Sequence, residues 1–209
     1  MKQYILMADV VASGKKDQKQ LMKDFKKLIT EINESYANDI LSPLTITLGD
    51  EFQCVLKDLA VSIQIILHLE EAIIHQKMNF QLRYILNQGN IETPINKAIA
   101  YEMLGAGLTE ARQKLTDAKQ HKQRFLITID NKFQQEILTD AFKIAENIID
   151  KWDLEKDYEV VSNFIKFKDY KIVSEAVNKT RSQLWKREKT LNIESYNSVK
   201  NIIQLIIKK

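Results

Sequence analysis

Residues 1–130 of this chain switch repeatedly between the two-residue period of a strand and the 3.6-residue period of a helix. The order of those switches leaves few topologies open. Residues 3–10 are β-rich and read as a buried strand. Asp17 then offers an N-cap to a helix whose apolar residues, Leu21, Phe25, Leu28, Ile29, Ile32 and Tyr36, fall on one stripe. Pro43 opens a strand over Leu44 to Leu48, Gly49-Asp50 is a hairpin-turn signal, and Phe52 to Leu56 is the returning strand. Asp58 caps a second helix running to about His75, and Phe80 to Leu86 is a further strand that ends at Asn87-Gln88-Gly89-Asn90. A helix from about Met103 to Gln120 places Leu104, Leu108, Ala111, Leu115 and Ala118 on one face, and Phe125 to Ile129 is the last strand. Everything after Asn131 reads as helix or turn.

The order strand–helix–strand–strand–helix–strand is the split βαβ arrangement. A right-handed crossover makes the first two strands parallel, and the hairpin sets the third between them, antiparallel to both. The expected fold class is therefore α+β: a ferredoxin-like or palm-type antiparallel sheet domain over residues 1–130, then a helical, helix-turn-helix-like region over residues 131–209.

That topology brings Asp9, at the end of the first strand, to the same sheet edge as Asp50 and Glu51 in the hairpin. Carboxylates held together repel unless a cation sits between them, and an oxygen-only set suits Mg²⁺ or Mn²⁺. Val10, Ser13 and Gly14 lie in the connection to the first helix. Its small residues allow backbone N–H groups to approach the phosphates of a nucleotide near a helix N-terminus. The structural alternative is that Asp9 ends a strand and Asp50 makes a turn.

The pattern Asp9-Val10-Val11-Ala12-Ser13 with Leu48-Gly49-Asp50-Glu51-Phe52 resembles the palm domains of class III nucleotide cyclases and of diguanylate cyclases. More closely, the chain resembles the SatD family of small bacterial proteins. The likeness rests on Asp9-Val10-Val11, Ser13, Gly49-Asp50-Glu51-Phe52-Gln53, Glu110-Ala111-Arg112, Ala118-Lys119 and a C-terminal helix-turn-helix. The cyclase resemblance implies that Asp9, Asp50 and Glu51 bind metal and that Arg112 reaches phosphate. The sequence also departs from the cyclase pattern. Ile46 stands where a base-selecting Lys is usual, Leu108 where a transition-state Asn is usual, and Leu48 precedes a single Gly49. Without those groups, selecting a base and stabilising a cyclising transition state become hard, so a degenerate nucleotide or metal site is favoured over an active cyclase.

The far end has a different character. From Lys151 onward the chain carries 13 Lys+Arg against 8 Asp+Glu, a surplus of 5, whereas the whole chain carries +3. The remainder is thus slightly acidic, and the basic tail is suited to an acidic partner. Val173 to Val177 reads as a short helix, Asn178-Lys179 as a turn, and Thr180-Arg181-Ser182-Gln183 as a capping box opening a second helix. Leu184 and Leu191 mark its buried face. Thr180, Arg181, Ser182, Gln183, Lys186, Arg187 and Lys189 are then the candidate DNA-contacting residues. Trp152 and Trp185 are expected in core or interface. The last helix, about Ser195 to Ile207, has more apolar surface than one helix can leave in water, so it packs on the domain or on a second copy of the chain.

The remaining composition narrows the options further. With three His and one Cys there is little material for hydrolytic triads or zinc sites, and Cys54 has no intrachain disulfide partner. No apolar run is long enough to span a bilayer, and the N-terminus lacks a signal-peptide cleavage pattern. The expectation is a cytoplasmic protein that binds DNA through its tail and senses a nucleotide triphosphate or a metal through its front, with a homodimer as one of the two ways its last helix is covered. A nucleotidyl cyclase or phosphotransferase using Asp9 and Asp50 is the enzymatic alternative. A structural or interaction module is the third reading.

Overall fold

A computed structural model describes residues 2–208. The described residues form a mixed α+β fold: a five-stranded, mostly antiparallel sheet and eight α-helices. The strands are β1 (Lys2–Val10), β2 (Ile40–Ile46), β3 (Glu51–Leu56), β4 (Leu82–Asn90) and β5 (Phe125–Thr128), in the order β2-β3-β1-β4-β5. As expected from the connections, β3 lies between β1 and β2 and is antiparallel to both. β4 runs antiparallel to β1, and β5 adds to it in parallel.

Each of β1, β3 and β4 has two apolar faces, because both sides of the sheet are covered. On one side, Leu6, Ala8, Phe52, Cys54, Leu82 and Tyr84 share a core with α1 (Gln18–Ser35), α2 (Leu59–His75), α4 (Lys132–Ile149) and α8 (Ile193–Ile206). On the other, Ile5, Met7, Val55 and Ile85 pack on α3 (Ala106–His121). The caps at Asp17 and Asp58 stand where the sequence puts them, each side chain accepting from the first-turn N–H groups. A further core joins α5 (Tyr158–Phe167), α6 (Tyr170–Val177), α7 (Arg181–Leu191) and the start of α8 to Ile74 and Ile148 of α2 and α4.

Three sequence expectations need correction. Pro43 lies inside β2 rather than at its start; β2 is an edge strand with register shifts around Ser42, so the missing N–H costs no ladder bond. Asn87 to Asn90 continue β4 instead of turning, since β4 pairs with β1 as far as Lys2. The Asn87 amide is satisfied by donating to the Gly107 carbonyl at 3.0 Å, and its Oδ1 accepts from Lys114 Nζ at 2.6 Å. Leu104 is not on the buried face of α3. It precedes the helix, is 71% exposed, and is held by Thr93 Oγ1 and Glu92 N.

Candidate functional site

Cross-strand register sets the first site. Asp9 faces Glu51 on β3 and Arg83 on β4, so three charged side chains stand in a row across the centre of the sheet, on the side that α3 covers. Helix α3 adds Arg112 and Lys119, seven residues apart and therefore on one face. Arg83 Nη1 donates to both Asp9 oxygens at 3.0 and 2.9 Å. Lys119 Nζ sits between the carboxylates, 3.3 Å from Asp9 Oδ2 and 3.6 Å from Glu51 Oε2. Arg112 and Thr47 Oγ1 both donate to Glu51 Oε1, Thr47 at 2.9 Å.

Asp9 and Glu51 are almost fully buried. Charges at such depth lose their hydration and persist only when paired and hydrogen-bonded. Burial pushes the Asp9 carboxyl above its ordinary range, and Arg83 and Lys119 partly oppose that. Two carboxylates meet three cations, so the repulsion that would call for a metal is already answered by side chains. Among the described residues no group of three or more His, Cys, Asp or Glu is assembled for a metal ion.

Asp50 is tied elsewhere. Ser13 Oγ donates to its Oδ2 at 2.5 Å, and its carbonyl accepts from Val10 N at 2.8 Å. The Val10 N–H is thereby committed, while Gly14 faces open space. Ala12, between them, adopts a left-handed backbone with φ 55°.

The tail divides the seven candidate contact residues. Thr180 and Gln183 cap each other at the start of α7, so their polar groups serve the helix end. Arg187 pairs with the buried Asp157, and Lys189 pairs with Glu194. Arg181, Ser182 and Lys186 remain exposed and take part in no ion pair among the described residues. Leu184 and Leu191 are buried as expected, and Asn178 takes the left-handed conformation of the turn. Trp152 is buried, but Trp185 is 55% exposed and lines an open hollow with Lys168, Lys171 and Arg181.

The sequence profile of the SatD family matches residues 4–207, nearly the whole chain. The chain belongs to the SatD family. A comparison with curated proteins finds no match. In this SatD chain the sequence reading passed over Arg83. The available signal was an Arg inside the apolar run Leu82 to Leu86, which a buried strand tolerates only opposite a carboxylate. It also passed over a second buried network, in which Arg124 donates to Glu70 at 2.7 Å and Asp150 at 2.9 Å while Tyr84 donates to Glu70 at 2.8 Å. Among the described residues no helix is long and apolar enough to cross a membrane.

Proposed function

We propose that this SatD protein is a cytoplasmic regulator that binds duplex DNA through α6 and α7, used as a helix-turn-helix, on a front domain of palm-like, ferredoxin-type topology with a degenerate acidic site. The observation that carries the reading is the split of α7 into a buried side and an exposed basic side. Leu184 and Leu191 of α7 are in the core beside Val173 and Val177 of α6, while Arg181, Ser182, Trp185 and Lys186 face solvent. An eight-residue helix, a left-handed Asn and a capped second helix follow the order of a helix-turn-helix, and in this reading α7 is the helix that enters the major groove. Trp185 supplies an apolar contact of the kind that reads a thymine methyl.

Mg²⁺ or Mn²⁺ fits the Asp9–Glu51 pair poorly, because Lys119 and the two arginines stand where the ion would sit. In this reading those side chains replace the metal, and triphosphate cyclisation is not an activity of the protein. Exposed Ile202 and Leu205 on α8, with Phe133 and Ile144 on α4, favour a homodimer that would present two α7 helices.

The test is duplex-DNA binding by the full chain across a salt series. Affinity should fall steeply as salt rises, since each neutralised phosphate releases counterions. Arg181→Ala with Lys186→Ala should weaken binding and lower the salt slope, with the melting temperature nearly unchanged. Absence of binding at low salt would overturn the reading.

A further inference from the structure

A groove of about 580 Å³ opens where the β1–α1 loop, the α2–β4 connection and the α4–α5 connection meet. Neither Asp9 nor Glu51 lines it, although its β1–α1 wall belongs to the connection in which the sequence places Val10, Ser13 and Gly14 for phosphate contact. Its volume falls within the roughly 300–1,000 Å³ of small-molecule sites and is far more than one inorganic ion fills.

The lining has three kinds of surface. Phe80 and Trp152, both nearly buried, give an apolar aromatic floor. Lys16 and Lys77 stand at the rim, and neither forms an ion pair among the described residues. Lys16 Nζ donates to Asn79 Oδ1 at 3.1 Å, and Lys77 lies 5.4 Å from the Tyr158 ring centre. Asp153 and Glu155, from the third segment, bring carboxylate acceptors; Asp153 already accepts from Lys156 Nζ at 2.9 Å and from the Glu155 N–H at 3.1 Å, so Glu155 is the freer of the two. A ligand satisfying all three has a flat apolar body, an anionic group for the lysines, and N–H donors for the carboxylates.

The groove is also joined to the tail. Trp152 Nε1 donates to the carbonyl of Leu191, the last residue of α7, at 2.7 Å. The same indole meets the Tyr196 ring of α8 edge-on at 5.1 Å. A ligand resting on Trp152 thus touches a side chain bonded to the end of α7.

We infer that this groove binds a small phosphorylated ligand with a flat nitrogen-bearing ring, the chemistry of a nucleoside mono- or diphosphate, without a metal. Its occupancy biases the position of α7 through Trp152; this second clause rests on the DNA-binding reading.

The experiment uses the full chain carrying Trp185→Phe, which leaves Trp152 as the single indole reporter of the two in the sequence. AMP, GMP, ADP, GDP and inorganic phosphate are titrated in chelator, following indole emission and melting temperature. At least one nucleoside phosphate should give a saturable emission change and raise the melting temperature. Inorganic phosphate should not. Lys16→Ala with Lys77→Asn, the latter chosen because Asn tolerates the left-handed backbone at that position, should weaken the response about tenfold or more while the unliganded protein melts as before. The site is overturned if no nucleotide gives a saturable response, if the lysine variant responds unchanged, or if phosphate alone reproduces the signal. Because this readout contains no DNA, its failure leaves the DNA-binding reading standing. The coupling clause is tested by repeating the DNA titration with wild-type protein and saturating ligand. A several-fold change in affinity is expected, and no change overturns the coupling alone.

Discussion

Arg83 and Arg112 both serve the buried pair of carboxylates, yet their removal should not cost the same. The Arg83 side chain is 8% exposed against an Asp9 that is 4% exposed, whereas Arg112 is 40% exposed. Arg83→Ala leaves a carboxylate in the sheet with only Lys119 beside it, and should lower stability by about 3–5 kcal/mol. Arg112→Ala removes a partly exposed partner from a Glu51 that is 3% exposed but keeps Lys119 and Thr47 beside it, and should cost less, about 1–3 kcal/mol. Urea unfolding of the two variants decides the matter: equally small losses would mean the cluster is far wetter than its burial indicates, and equally large ones that Arg112 is as essential to Glu51 as Arg83 is to Asp9. The same contrast holds on α7. Leu184→Ala should destabilise by about 2–5 kcal/mol, while the exposed Lys186→Ala should change stability by less than about 0.5 kcal/mol.

Helix α3 reaches the sheet at a point where two glycines touch. A Cβ on Gly107 would stand 2.6 Å from the Gly89 carbonyl carbon, and one on Gly89 would stand 2.5 Å from the Gly107 Cα. In an open helix Ala is favoured over Gly by about 1 kcal/mol. Here Gly107→Ala should instead destabilise by about 1–3 kcal/mol, because backbone must move apart to admit the methyl. A neutral or stabilising result in thermal unfolding would show that α3 does not lie this close. At the end of α2, His75 Nδ1 lies 2.8 Å from Ser162 Oγ of α5. Burial lowers its pKa from the ordinary 6.5, with Lys166, Lys200 and His68 acting the same way and Glu71 against them. The folded state therefore disfavours the charged ring. Its contribution is present above the unfolded value and lost as pH falls through the folded one. Melting temperature should decline on acidification below about pH 6.5, and His75→Gln should flatten that part of the profile.

The two ends of the chain share their packing. α4 and α8 complete the core beneath the sheet, and Gln134 Nε2 donates to the Ile206 carbonyl at 3.1 Å, holding the start of one helix to the end of the other. Phe133 is 70% exposed and Leu205 64% exposed at that same end. If a second copy covers them, the protein should sediment as a dimer, and Leu205→Lys should convert it to a monomer with little change in the unfolding of each subunit. A wild-type chain that stays monomeric at high concentration would remove this assignment. The DNA reading would then rest on a single α7 helix.

Much of this architecture was legible because its causes are local. Asp17 and Asp58 cap helices with their own side chains, and the stripe from Leu21 to Ile32 is buried by helical periodicity alone. The position of β3 between β1 and β2 follows from connection length and handedness. Leu104 and Asn87 misled for the opposite reason. Each is a residue whose role is set by a partner distant in sequence, Thr93 for the one and Gly107 for the other. The candidate site divides along the same line. That Asp9 and Glu51 become neighbours could be derived from the order of strands. That Arg83, Arg112 and Lys119 converge on them could not, because an ion pair depends on three strands and a helix meeting at one depth. The sequence by itself determined the elements, their order and the polarity of each face, since these depend on residues within a turn or a strand of one another. The tertiary structure decided which buried charges cancel, which basic residues of α7 stay exposed, and where a groove remains among three connections, since burial and charge pairing belong to packing across the chain.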